Sequence, residues 1–283
     1  MLSSCGLRPR KRLGQHFLID GNLMRGLVES ADLKRDDVVV EVGGGTGGLT
    51  DLLALRVDQL VCVEVDRDLR ELLAERFAGV AGVEVVGIDV LESKHRLAAV
   101  VAECLQQAER DGLTVKLVAN LPYQIATPLV MNLLVDYPVV RRLCFTVQSE
   151  VGDRFVAEPG CKAFGPLTIL SGALSRVTTV ARLGPQSFWP RPTVDSVMLR
   201  MDVDPAARAS VPDVPTFARF VRGVFNHRRK TLRSAMSYVL DAAVVEHLGE
   251  RFDLTRRPEQ VPVSQWVSIA KTVLDKPFSE PCP

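Results

Sequence analysis

The densest chemistry in the chain sits in four consecutive residues, Asn120-Leu121-Pro122-Tyr123. The exocyclic amine of adenine is a poor nucleophile, because its lone pair is delocalised into the ring. The Asn120 side-chain oxygen and the Leu121 backbone carbonyl can each accept one of its hydrogens. That draws the nitrogen toward tetrahedral geometry and aims its lone pair at an electrophile. Pro122 stiffens the turn, and Tyr123 offers a ring on which an extruded base can stack. The proton lost afterwards is acidic once the nitrogen is alkylated, so no dedicated base is required. Positioning would supply most of the acceleration. A proline-stiffened turn with a buried tyrosine is the plain alternative, and the glycine-rich run upstream weighs against it.

That run is Glu41-Val42-Gly43-Gly44-Gly45-Thr46-Gly47-Gly48-Leu49-Thr50. Glycines let the backbone pass close to a ligand, and a following helix N-terminus favours a negative group. Gly43, Gly45 and Gly48 satisfy G-x-G-x-x-G, and Glu64 follows about 20 residues on, so the pattern alone is compatible with a nicotinamide dinucleotide. Glu64 closes the run V-C-V-E-V-D, where a carboxylate can accept both ribose hydroxyls. Asp89 closes G-I-D-V-L, where a carboxylate can accept the adenine amino group. Each acid read alone is a solvated strand end. Together with the glycine loop, on three successive strand ends, they fit S-adenosylmethionine better than a dinucleotide.

The elements that must hold these residues follow from hydrophobic spacing. Asp20 caps a helical pattern at Leu23, Met24, Leu27, Val28 and Ala31. Strands are expected at Val38–Val42, Leu60–Val65, Val83–Asp89, Val115–Ala119 and Leu143–Val147. Helices are expected behind the glycine loop at Leu49, Leu52 and Leu53, at Leu69, Leu72, Leu73 and Phe77, over 92–110, and over 149–157. Thr127-Pro128 reads as a cap with proline at the first helical position, continued by Leu129–Val135. Alternating strands and helices mean a parallel, doubly wound sheet. Val177–Leu183 and Val194–Met201 break the rhythm as two strands joined by a proline-rich loop, so the sheet is expected to end in an antiparallel pair. From Pro205 the chain is proline-punctuated and helical, over 215–225, 228–240, 242–249 and 264–274. A boundary near 204 divides a cofactor-binding domain, 1–204, from a small helical domain, 205–283.

Composition sets outer limits. The chain has 283 residues, 47% hydrophobic and 24% charged, with a net charge of +1. Net charge therefore names no partner. Local charge is more informative: Arg8, Arg10, Lys11 and Arg12 form one basic cluster, and Arg228, Arg229, Lys230 and Arg233 another. The six cysteines are scattered without a C-x-x-C, and Cys62 and Cys144 sit in apolar runs as buried thiols. This fits a reducing, cytoplasmic setting. The four histidines lack metal-ligand spacing, so no metal is expected. No apolar run approaches the ~20 residues of a membrane span, and no secretory signal is expected, since the basic N-terminus lacks an apolar h-region.

These motifs, in this order, resemble the small-subunit ribosomal RNA adenine dimethyltransferases of the kasugamycin-sensitivity type. The resemblance runs nearly end to end: Gly14-Gln15-His16-Phe17-Leu18, the glycine loop, Glu64, Asp89, Asn120 to Tyr123, Phe188-x-Pro190-x-Pro192-x-Val194-Asp195-Ser196, and Phe225-x-x-Arg228-Arg229-Lys230-x-Leu232. Their ordered combination is far more specific than any one of them. The resemblance implies a Rossmann-like, seven-stranded class I methyltransferase sheet with a small C-terminal helical domain. It implies that His16, Leu18, Gly43, Gly45, Glu64, Asp89 and Asn120 contact S-adenosyl-L-methionine, and that Tyr123 and Phe188 sandwich the target adenine. The implied product is two adjacent N6,N6-dimethyladenosines near the 3′ end of small-subunit rRNA, made by a monomer on a pre-ribosomal particle. The chain departs from the pattern at Gly44, Gln124 and Ala126, where proline, asparagine and serine are usual. Segment 92–114 looks longer than usual and is expected to be a surface insertion.

His227 to Arg233 is expected on a helix, with its basic side chains on rRNA phosphates; a merely solvated face is the alternative. Three rivals remain. A large-subunit rRNA adenine dimethylase shares the chemistry, but Phe188–Ser196 and the F-x-x-R-R-K-x-L motif argue against it. A nicotinamide oxidoreductase would leave Asn120–Tyr123 unexplained. A non-catalytic assembly factor would have little use for Asn120 and Asp89.

Overall fold

The structure, a computed structural model, describes residues 9, 10 and 13–274. Arg8, Lys11 and Arg12 of the N-terminal basic cluster lie outside the described residues. The chain divides into two compact units, one formed by 1–152 with 178–202, the other by 153–177 with 203–283. A single cut near 204 therefore differs from the observed division, because 153–177 belongs with the second unit.

The first unit opens with a two-residue strand, β1 (Phe17–Leu18), and helix α1 (Gly21–Ser30). Asp20 caps α1 by accepting the Asn22 and Leu23 N–H groups, as its position in the sequence predicts. Then β2 (Val38–Val42), α2 (Gly48–Ala54), β3 (Gln59–Val63), α3 (Arg67–Phe77) and β4 (Val83–Val86) alternate. A small hairpin, β5 (Leu91–Ser93) with β6 (Arg96–Leu97), precedes α4 (Ala99–Arg110). The helix expected from 92 thus starts at 99, behind the exposed residues 92–96, and it buries Val101, Leu105 and Ala108.

Next come β7 (Val115–Asn120), α5 (Tyr123–Asp136) and β8 (Val140–Gln148), followed by α6 (Ser149–Phe155). α5 corrects the expected cap at Thr127. The helix starts at Tyr123 behind Pro122, and Pro128 lies inside it. The Pro122 carbonyl takes the Ile125 and Ala126 N–H groups, so the tetrapeptide itself opens the helix. Pro128 has no N–H to donate to the Gln124 carbonyl one turn back.

Proline-led α7 (Pro166–Leu174) has no counterpart in the sequence reading. β9 (Ser175–Leu183), β10 (Phe188–Trp189) and β11 (Ser196–Val203) follow. The main sheet has seven strands in the order β4-β3-β2-β7-β8-β11-β9. β4, β3, β2, β7 and β8 pair in parallel, and β11 runs antiparallel to β8. β2 is buried at all five positions, the near-continuous apolar run expected of a strand covered on both faces. The order reverses at β2 and β7, so a crevice opens where their carboxyl ends part.

The second unit continues with α8 (Pro205–Ala209), α9 (Val214–Phe225), α10 (Leu232–Met236), α11 (Ala242–Arg251) and α12 (Val263–Leu274). Here the expected helix over 228–240 is corrected. Residues 226–230 are turn and bend, and α10 begins at Leu232 behind a Thr231 cap. Among the described residues no helix is long and apolar enough to cross a membrane.

Candidate active site

A cleft lies at the carboxyl ends of β2, β3 and β7. Nearly every residue singled out in the sequence meets there: His16, Gly43, Gly45, Glu64, Asp89, and Asn120 through Tyr123. Leu18 lines a smaller, adjoining cavity with Glu41, the glycine loop and Asn120.

The glycine loop earns its composition. Gly43 and Gly45 have φ of 81° and 57°, in the left-handed region that side chains rarely adopt. A Cβ on Gly45 would stand 2.9 Å from the Phe17 ring, so this turn also needs the missing side chain for close packing. Gly44, one of the departures, has a local explanation. The Cβ position there is 2.3 Å from Cys62 Sγ and 3.0 Å from Leu73, so those side chains fill the space a larger residue would take.

Glu64 is 4% exposed and follows β3 directly. Its two oxygens accept the Gly45 and Asp66 N–H groups, both at 2.9 Å. Burial pushes this carboxyl above its usual range, and the backbone N–H groups partly offset that. Asp89 lies three residues beyond the end of β4 and accepts the Leu91 N–H at 3.0 Å. It is exposed, free to reach a ligand from the cleft edge.

Asn120 ends β7 with both side-chain atoms committed. Its Nδ2 donates to the His16 carbonyl at 2.8 Å, and its Oδ1 accepts from Thr146 Oγ1 at 2.5 Å. Tyr123 stacks on His16, with ring centroids 5.6 Å apart at 27°. The Tyr123 hydroxyl meets Ser196 Oγ at 2.7 Å, and burial raises the pKa of the phenol. The segment Leu13–Phe17 therefore forms a strap along the cleft. It is held further by His16 Nδ1 against the Pro190 carbonyl at 2.7 Å, Gln15 Nε2 donating to Asp66 at 3.0 Å, and the Arg10–Asp66 ion pair at 3.2 Å.

Phe188 is not brought to the cleft. It is 1% exposed and packs in a core cluster with Leu27, Val28, Leu183 and Met198. It sits opposite Leu18 in the β1–β10 ribbon, and the alternation of a strand sends its neighbour Trp189 outward, 40% exposed and stacked on Phe17 at 6.4 Å. The basic residues belong to the second unit. Arg228, Arg229 and Lys230 are exposed on the turn after α9, and Arg233 is exposed on α10. The same turn stacks His227 on Tyr238, centroids 3.7 Å apart at 12°.

Glu41 escaped the sequence reading. It is 1% exposed, and its Oε2 lacks a hydrogen-bond partner. Burial pushes its pKa up to about 7. An orphaned carboxylate oxygen beside the glycine loop fits a cofactor that carries an ammonium group. The signal was available in Glu41 itself, an acid inside the otherwise apolar run V-V-V-E-V.

A seven-stranded sheet of this order, with a glycine loop after its central strand and acids after the next two, defines a class I methyltransferase fold. Solved structures agree. A dimethyladenosine transferase from Plasmodium falciparum superposes with a TM-score of 0.70 at 21% identity, covering 90% of this chain and 96% of that one. The 23S rRNA methyltransferase ErmE gives 0.65 at 22%, covering 92% and 100%. The family model for ribosomal RNA adenine dimethylase matches residues 6–275, and the chain belongs to that family. It is an rRNA adenine dimethyltransferase whose cofactor is S-adenosyl-L-methionine. A ribosomal RNA small subunit methyltransferase A from Moorella thermoacetica is 37% identical over 271 residues, 95% of this chain and 93% of its own length. The nicotinamide reading of the glycine pattern is set aside by this membership.

Proposed function

We propose that the chain dimethylates two adjacent adenosines near the 3′ end of small-subunit rRNA, acting as a cytoplasmic monomer on a pre-ribosomal particle. The supporting observation is Asn120, an amide fixed at the mouth of the cleft beside the glycine loop and Tyr123. The match to a small subunit methyltransferase A along nearly the whole length favours small-subunit over large-subunit rRNA.

S-adenosyl-L-methionine supplies the electrophilic methyl group. Glu64 and Asp89 hold its ribose hydroxyls and adenine amine, His16, Leu18, Gly43 and Gly45 frame it, and Glu41 faces its ammonium. Asn120 Oδ1 and the Leu121 carbonyl accept the hydrogens of the target N6. Pro122 keeps the turn rigid, and Tyr123 stacks on the base. The target proton leaves to water, since no side chain in the cleft need act as a base. Phe188 supports the ribbon that carries Trp189 and does not touch the adenine in this arrangement. Arg228, Arg229, Lys230 and Arg233 give the helical unit its affinity for rRNA phosphates.

The test is methyl transfer from labelled cofactor to small subunits lacking the modification, with digestion to nucleosides and primer extension. Dimethyladenosine at two neighbouring positions is expected. Labelling of large subunits alone would move the assignment to the large-subunit enzymes.

A further inference from the structure

Thr146 is fully buried in β8, within the otherwise apolar run Leu143-Cys144-Phe145-Thr146-Val147. A hydroxyl there is an unusual choice, since burying one without a hydrogen-bond partner is destabilising. Its register partner across the parallel pair is Asn120, so both side chains rise on the same face of the sheet. The hydroxyl and Asn120 Oδ1 are 2.5 Å apart.

The polarity of this contact is forced. The His16 carbonyl can only accept, so the atom of Asn120 facing it at 2.8 Å must be Nδ2. The other end of the amide, the oxygen, then faces Thr146, and the Thr146 hydroxyl must donate. One lone pair of Oδ1 is taken and one remains. Rotating the amide by 180° would set Nδ2 against Thr146 and the oxygen against another carbonyl oxygen.

We propose that Thr146 is a positioning residue for methyl transfer: its buried hydroxyl locks the Asn120 amide with the oxygen, not the nitrogen, available to the N–H of the target adenine. This rests on the reading of Asn120 as the acceptor for that amine. Without the hydroxyl donor, only the His16 carbonyl orients the amide, and that carbonyl lies on the strap. The amide would then present a donor to a donor for part of the time, and the rate would fall with the population of the correct orientation.

The experiment compares Thr146→Val, Thr146→Ser and Asn120→Ala in methyl transfer to under-methylated small subunits. Valine keeps the β-branched shape of threonine in a strand, and thermal unfolding checks that the fold survives. Thr146→Val is expected to lower kcat between about 10- and 100-fold, with KM for the particle and Kd for the cofactor near wild type. Thr146→Ser keeps the donor and should recover most of the rate. Asn120→Ala should lose on the order of 10²–10³. If Thr146→Val turns over at the wild-type rate while Asn120→Ala is slow, the proposal for Thr146 is overturned and the Asn120 reading stands. If Asn120→Ala is itself fast, the Asn120 reading fails first. If serine is as slow as valine, packing and not the hydroxyl matters, and the proposal is wrong. A loss of cofactor affinity in Thr146→Val equal to the loss in rate would also overturn it.

Discussion

Glu64 holds Gly45: one carboxylate oxygen accepts the Gly45 N–H at 2.9 Å, while the other takes the Asp66 N–H at the same distance. The end of β3 and the turn after β2 are thereby a single hydrogen-bonded unit. A residue assigned to the cofactor's ribose is also the brace that sets the glycine loop. Binding and loop geometry cannot be varied separately at this position.

Glu64→Gln tests this double duty. A neutral amide has one acceptor atom, so one of the two buried N–H groups would face an NH2 donor. The unpaired donor weakens the free and bound protein alike, whereas losing a charged acceptor for the ribose hydroxyls costs about 1.5–3 kcal/mol, roughly 10- to 150-fold in Kd. Calorimetry with S-adenosyl-L-methionine should show a loss in that range. Wild-type affinity in this variant would remove Glu64 from the cofactor site.

Glu41 sets a pH dependence of stability in the cofactor-free protein. Burial raises its pKa from 4.5 to about 7. The folded state therefore binds a proton more tightly than the unfolded state, and between those values it carries more protons. Stability falls as pH rises through that window, and the penalty is complete above about 7. Glu41→Gln has no charge to desolvate, so it should gain up to about 3 kcal/mol over wild type at pH 8. The gain should vanish about one pH unit below the unfolded value of 4.5, where both states of wild type hold the proton. Urea unfolding at the two pH values measures the difference. An equal gain at both would show that charge is not the cause.

What the sequence made legible was whatever depends on near neighbours along the chain. The Asp20 cap, the Val38–Val42 strand and the placement of the acids after strand ends need only local spacing. The failures have tertiary causes. Thr127-Pro128 carries a helix-start signature, but the helix had already begun at Tyr123 because the Pro122 carbonyl was free to accept. His227–Lys230 has helical composition. The Leu232 N–H binds the Arg256 carbonyl at 2.6 Å and the Arg233 N–H the Leu254 carbonyl at 3.0 Å, so contacts from a distant segment restart the helix at 232. Phe188 and Trp189 are adjacent aromatics, and only the β1–β10 register decides which one faces outward.

Tyr123 and Phe188 should consequently respond in different assays. Tyr123→Ala removes a ring at the cleft, and stacking is worth about 1–3 kcal/mol per base, so turnover should drop while the fold holds. Tyr123→Phe keeps the ring face and loses only the Ser196 contact, so its activity should stay close to wild type. Phe188→Ala empties a core position that is 1% exposed, which costs roughly 3–5 kcal/mol of stability. Its melting temperature should fall clearly. A Phe188→Ala variant with an unchanged melting temperature and no activity would restore Phe188 to the adenine sandwich.

The basic turn supplies the sharpest test of the helical unit. Arg228, Arg229 and Lys230 are exposed and have no ion-pair partner among the described residues. The turn under them is fixed by the Lys230 N–H on the His227 carbonyl at 2.9 Å and by the His227–Tyr238 stack. The Lys230 ammonium also lies 5.9 Å from the Tyr238 ring centroid, so Arg228 and Arg229 are the side chains whose removal leaves this turn's contacts in place; exposed substitutions away from such contacts change stability by about 0.5 kcal/mol or less. Each phosphate contact contributes about 0.7–0.9 to the slope of log K against log salt. Replacing all three residues with alanine should weaken binding to under-methylated small subunits most at low salt and flatten the slope by about 2 to 3. Cofactor affinity should stay at wild type, and so should the melting temperature when only Arg228 and Arg229 are replaced. Filter binding across a salt series reads both slope and affinity. If the slope is unchanged, these side chains only solvate the turn, and the rRNA contact of this family member must be sought on another face.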